Sequence, residues 1–202
     1  MRVHLTARSW VALCLLVTLF LCPLNANAFR TPFGDRVYDT IERGLAWIRT
    51  QIGEGGYNDR TTALGGLALL ERRRSRHWNA PTRGYTNSSR ADKALLRSMA
   101  RYVIDHDPGL TEGAEGAHGY ETGINLSFLS LYLSTGGPAD VGAAVRVNEA
   151  IANGVAALLE IQGPVVEGAC NSGSWNYSVP EQFGDLSTTH ITSMGLSAAS
   201  AS

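Results

Sequence analysis

Residues 121–134 read ETGINLSFLSLYLS, and this stretch decides the fold of the chain. It has one charged residue, Glu121, at its start. Drawn as a helix, the stretch is apolar nearly all round, since it contains Ile124, Leu126, Phe128, Leu129, Leu131 and Leu133. A helix with that pattern is typical of a protein interior. The segment therefore predicts a buried helix, with more polar helices outside it.

The sequence on both sides has the same helical period. Apolar residues recur at steps of three and four and rarely alternate, which favours helices over strands. Glycine-rich segments separate the periodic stretches, as expected where helices end. We predict helices over 37–52, 60–74, 91–106, 121–134 and 141–162, and a sixth from Asp185 to the end of the chain.

Charge alternates from one predicted helix to the next. The first and third helices contain ERGLAWIR (42–49) and DKALLRSMARY (92–102), whereas the second, fourth and sixth are rich in Ala, Gly, Ser, Thr and Leu. Charged helices suit the outside and low-charge helices the inside. We predict an all-α domain over 29–202, built as two layers from three helical hairpins near 37–74, 91–135 and 141–202.

The first 28 residues have the pattern of a secretory signal peptide. Arg2 and Arg8 precede an apolar run from Trp10 to Cys22, and Ala26-Asn27-Ala28 is a small-x-small cleavage site. The run is shorter than the ~20 residues of a typical membrane span. We therefore expect cleavage after Ala28 and a secreted, periplasmic or cell-envelope protein without a stable membrane span. An uncleaved anchor is the alternative.

Composition excludes several classes of protein. The 202 residues include 17 Lys+Arg and 18 Asp+Glu, a net charge of −1, so no basic face for nucleic acid is expected. Loss of residues 1–28 removes two arginines and leaves a net charge of −3. It also leaves Cys170 as the single cysteine, which excludes an internal disulfide and a cysteine metal cluster. We expect no cofactor and no metal.

Three turns between the predicted helices share a glycine followed closely by an aromatic residue. They read Gly55-Gly56-Tyr57, His118-Gly119-Tyr120 and Gly173-Ser174-Trp175. The first follows Arg43-Gly44-Leu45-Ala46-Trp47-Ile48 and Gln51, and the third follows Gly154, Leu158-Leu159 and Gln162. A unit repeated in this way indicates stacked hairpins, because one hairpin cannot bury its apolar face alone.

The first and third copies resemble the QW repeat of squalene and terpenoid cyclases, and the second copy is degenerate. The resemblance implies the α/α toroid that these enzymes share with protein prenyltransferase β-subunits. Three hairpins are about half of that ring, so we expect an incomplete ring from a longer repeat protein. The repeat-motif or ligand-facing residues are Gln51, Tyr57, Tyr120, Gln162 and Trp175, where glutamine caps backbone groups and the aromatic ring covers a neighbouring helix end.

The resemblance also indicates where catalytic residues belong. The catalytic acid of the cyclases lies in an Asp-x-Asp-Asp motif, which is absent here. The most similar segment is Asp105-His106-Asp107, and we expect it to be solvated at a helix end. Prenyltransferases bind zinc through Asp-x-Cys and a distant histidine, but Ser187 stands at the cysteine position. Asp185 and His190 remain as weak catalytic candidates, with Asp185 more typical of a helix N-cap.

We predict an exported repeat protein that binds an apolar small molecule or a protein partner on the face of its inner helices. The alternative is a terpenoid-cyclase-like isomerase, or a prenyltransferase-like transferase, whose acid lies outside this chain. Both enzymes need a closed apolar chamber that keeps water from a carbocation.

Overall fold

The computed structural model describes residues 31–53, 56–58, 61–77, 79–168, 172–177 and 184–202. The regular structure within these ranges is helical and includes no strand, so the prediction of an all-α fold is confirmed. Two short 3-10 turns, Pro108–Leu110 and Ala114–Gly116, follow the third helix. The helices are α1 (Pro32–Gly53), α2 (Thr62–Glu71), α3 (Arg90–His106), α4 (Gly119–Ser134), α5 (Val147–Glu160) and α6 (Leu186–Ser200).

The helices pack in alternation. α4 contacts both α2 and α6, so these three low-charge helices lie in a row, which we call the inner row. Of the other helices, α1 packs on α2, α3 lies against both α2 and α4, and α5 lies against both α4 and α6. α3 and α5 also contact each other. The contacts therefore follow the division into charged and low-charge helices, while closure of a ring stays a prediction.

α4 forms the centre of the hydrophobic core. Leu126, Phe128, Leu129 and Tyr132 on this helix have no exposed surface. The ring of Phe128 lies over Gly66 of α2, where an added Cβ would come within 2.3 Å of it. The absence of a side chain at Gly66 thus lets α2 approach the largest apolar residue of α4.

α4 and α6 meet along a seam of small residues. A Cβ on Gly195 would lie 2.4 Å from the carbonyl oxygen of Gly123, and one on Gly123 would lie 3.0 Å from Cα of Thr192. The hydroxyl of Thr192 donates to the carbonyl of Gly119 at 2.9 Å. Because glycine leaves this space empty, the two backbones approach each other closely and α6 is held by one narrow face.

Two helix starts lie well away from the predicted ones, and the others differ from them by only one or two residues. α1 begins at Pro32 rather than at 37, since Thr31 caps its first turn (Gly34 N to Thr31 Oγ1, 3.0 Å) and proline suits the first helical position. α5 begins at Val147 rather than at 141. The amides of Gly142 and Ala144 donate to the carboxylates of Asp140 and Asp105, and Gly142 has a φ of +76°, so the chain turns before the helix begins.

α2 ends at Glu71 rather than at 74. Three arginines, Arg72-Arg73-Arg74, follow the end of α2, a position where solvated cations are common, but Arg72 is not solvated. Its guanidinium makes a two-point ion pair with Glu42 of α1, and its side chain is only 16% exposed. The first arginine of the run therefore joins α1 to the end of α2.

None of the described helices is both long and apolar enough to cross a membrane.

Candidate functional site

The inner row of helices lines an open groove of about 850 Å³, which we call the inner groove. Each helix contributes one stripe of its surface at steps of three and four residues. The stripe of α2 has leucine, alanine and one glutamate, that of α4 has serine and leucine, and that of α6 has histidine, serine, methionine and alanine. The lining residues are Leu64, Leu67, Ala68, Glu71, Ser127, Leu131, His190, Ser193, Met194, Ser197, Ala198 and Ala201.

The two weak catalytic candidates lie in different places. His190 lines the inner groove. Asp185 does not; it is the N-cap of α6, where its carboxylate accepts from the amide of Thr188 at 2.7 Å and from the hydroxyls of Ser187 and Thr188. These hydrogen bonds lower the pKa of Asp185 below its ordinary value. The N-cap interpretation is confirmed, and the two residues are not brought together as a site in the groove.

The third repeat turn is held by its motif residues. Trp175 is buried, and its indole N–H donates to the carbonyl of Leu158 near the end of α5 at 2.6 Å. The side-chain amide of Gln162 donates to the carbonyl of Gly173 at 2.6 Å. Both side chains therefore join α5 to the turn that precedes α6, as the structural interpretation of the motif predicts.

The first and second turns use their aromatic residues differently. Tyr57 stacks on Tyr102 of α3 with 5.0 Å between ring centroids, and its hydroxyl is 2.8 Å from that of Ser98. Tyr120 is half-buried against the core. Gln51 closes the first turn through its backbone carbonyl, which accepts from Gly56 N at 3.1 Å, and lines a separate cavity of about 410 Å³ between α1 and α2.

Asp107 is buried, which contradicts the expectation that it is solvated. Only 6% of the residue is exposed. Its carboxylate accepts from the side-chain amide of Asn125 at 2.9 Å, the hydroxyl of Thr122 at 3.1 Å and the amide of Gly109 at 2.9 Å. Thr122 and Asn125 belong to the buried part of α4, so the carboxylate fastens the chain that leaves α3 to the start of α4.

Burial raises the pKa of the Asp107 carboxyl, because the charged form loses its hydration there. The hydrogen bonds from Asn125, Thr122 and Gly109 offset part of this rise. The cavity beside it, also lined by His106, has a volume of only about 30 Å³, room for water but not for an isoprenoid chain. Asp107 lines no part of the inner groove, so an acid of raised pKa is present but lies away from the groove.

The buried position of Asp107 and its hydrogen bonds were not predicted from the sequence. Asp107 precedes Pro108 and Gly109, an order that indicates a capped turn and could have located its hydrogen bonds. Its burial had no local signal, since it depends on the partners that α4 provides. Within the described ranges, no three or more His, Cys, Asp or Glu side chains are grouped so that they could hold a metal ion.

The predicted signal peptide (1–28) and Cys170 lie outside the described residues. No family model matches this chain, and neither a curated protein nor a solved structure matches it.

Proposed function

We propose that this chain is an exported repeat protein, similar to prenyltransferases and squalene cyclases in its turns, that binds an apolar small molecule in the inner groove. The observation that carries the proposal is the alignment of one stripe from each of the three inner helices along a single groove. Its volume of about 850 Å³ lies within the range of small-molecule sites, and leucine, alanine and methionine line much of it.

Binding is favoured over catalysis by the exposure of the groove. His190, Ser193, Met194 and Ser197 on the α6 wall are all exposed. A carbocation reaction needs water to be excluded, and this wall is open to water. The enzymatic alternative predicts turnover of squalene or farnesyl diphosphate, detected by mass spectrometry, and it needs an acid other than Asp185, which lies outside the groove and has a lowered pKa.

The binding proposal is tested with the neutral dye Nile red, whose emission shifts to the blue in an apolar site. Ala198 lines the groove on α6 and Ala46 is exposed on α1, so Ala198→Trp and Ala46→Trp are the same substitution inside and outside the groove. We expect Ala198→Trp to weaken dye binding by about tenfold, because the indole fills apolar volume that the dye needs. Ala46→Trp should bind as the unmodified chain does. Equal binding by all three proteins would contradict the proposal.

A further inference from the structure

The two walls of the inner groove differ in chemistry. The wall from α2 and α4 is mostly apolar, with Leu64, Leu67, Ala68 and Leu131, and also includes Glu71 and Ser127. The wall from α6 carries a polar stripe at steps of three and four residues, which consists of His190, Ser193 and Ser197. A ligand that fills this groove therefore meets mostly leucine and alanine on the α2 and α4 side, and a stripe of hydrogen-bonding side chains among small and apolar ones on the α6 side.

Two of the serines that line the groove donate their hydroxyl hydrogen to a backbone carbonyl of their own helix. The hydroxyl of Ser193 donates to the carbonyl of Thr189 at 2.7 Å, and that of Ser127 donates to the carbonyl of Gly123 at 3.0 Å. A serine has a single O–H, so each oxygen can offer only lone pairs to a ligand. The head group that satisfies Ser193 must therefore donate a hydrogen bond.

Charge and desolvation further limit which chemical class of head group suits the groove. Within the described part of the chain, no lysine or arginine lines the groove, and Glu71 lies on the wall opposite α6. A carboxylate head would meet an acceptor-only serine and another carboxylate, both unfavourable. A hydrocarbon would cover Ser193 and remove its water without a replacement hydrogen bond. Glu71 would attract an ammonium head, but an ammonium cannot accept a hydrogen bond from the hydroxyl of Ser197 or from an N–H of His190, whereas an alcohol hydroxyl both donates and accepts.

We propose that the inner groove selects a long-chain alcohol, whose apolar body lies against α2 and α4 and whose hydroxyl donates to Ser193. This inference rests on the proposed function and specifies the ligand class of the same groove.

Competition against Nile red tests the preference for an alcohol. The competitors are 1-decanol, n-decane, decanoate and decylamine, which have equal carbon chains, and the protein is the whole 202-residue chain. We expect 1-decanol to displace the dye at a three- to tenfold lower concentration than n-decane or decanoate, since one hydrogen bond has a net value of about 0.5–1.5 kcal/mol. Ser193→Ala should remove this advantage and leave n-decane unchanged. Ser200→Ala, on the same helix but outside the groove, should keep it.

The outcomes separate the two proposals. If Nile red binds but the alcohol has no advantage, or Ser193→Ala keeps the advantage, the alcohol preference is wrong and the groove proposal stands. If decanoate or decylamine displaces the dye better than 1-decanol, the preference is also wrong. If Nile red binding is unaffected by Ala198→Trp, the groove proposal itself fails.

Discussion

α4 and α6 are both inner helices of low charge, yet they differ in how much of their surface is covered. Helices pack on α4 on several sides, and Leu126, Phe128, Leu129 and Tyr132 are fully buried. α6 buries only Thr188, Thr192 and Gly195, while Leu186 and Met194 stay exposed. Their sequences are alike in small and apolar residues. Whether such a helix becomes core or stays partly exposed therefore depends on how many neighbours cover it.

The carboxylates associated with the two helices show the same difference. Asp107 contacts α4 inside the protein, and burial raises its pKa. Asp185 caps α6 where water reaches it, and hydrogen bonds lower its pKa. A carboxylate in the covered region is thus destabilised as an anion, whereas one in the open region is stabilised.

The two helices should differ most in the unfolding free energy that is lost when an apolar side chain is truncated. Phe128→Ala on α4 should lower the free energy of unfolding by about 3–5 kcal/mol, because it empties a fully buried site. Met194→Ala on α6 should lower it by less than about 0.5 kcal/mol, since that side chain is 47% exposed. Urea unfolding followed by far-UV circular dichroism measures both. Similar losses for the two variants would show that α6 is covered in solution.

Gly195→Ala tests the seam that joins the two helices. The added methyl would lie 2.4 Å from a backbone oxygen that cannot rotate away, so we expect a loss of about 1–3 kcal/mol in urea unfolding. Gly44→Ala is the matched control on α1, where no atom lies within 4 Å of the new Cβ. That change should stabilise the protein by about 0.5–1 kcal/mol. A neutral Gly195→Ala would mean that the helices are further apart than described.

Asp107 predicts a pH dependence. Its folded-state pKa is raised above the ordinary 3.8, so its contribution to stability is present below that value and lost as the pH rises through the raised pKa. Asp107→Asn should remove this loss. The amide of Asn125, whose oxygen is buried without a partner, can flip to accept from the new side chain. Unfolding free energies of both proteins between about pH 4 and pH 7 test this, and parallel curves would contradict it.

For Asp185 we expect stability to depend on pH in the opposite direction and by a smaller amount. Because its folded-state pKa is lowered, its contribution is present above the ordinary 3.8 and is lost as the pH falls through the lowered pKa. Asp185→Ala should lower the thermal midpoint at neutral pH and converge with the unmodified chain in acid. Asp185→Asn is the control, since asparagine caps helices about as well as aspartate does. Equal thermal midpoints of Asp185→Ala and the unmodified chain at neutral pH would show that Asp185 does not stabilise the helix as a cap.

Much of the fold was predictable from local pattern. The low charge and apolar surface of 121–134 predicted a buried helix, and α4 is one. The glycine-aromatic turns predicted the junctions that Trp175 and Gln162 hold. Thr31-Pro32 was an available start signal for α1 that periodicity alone did not show. The delayed start of α5 was not predictable, because Asp105, whose carboxylate binds Ala144 N, is distant in sequence.

The sequence by itself determined the helical class, the division into charged and low-charge helices and the N-cap role of Asp185, since all three depend on period, composition and near neighbours. Only the tertiary structure decided that Asp107 is buried, that Arg72 pairs with Glu42 and that the stripes of α2, α4 and α6 meet along one groove. Burial and convergence depend on which surfaces distant segments cover, and no local pattern carries that information.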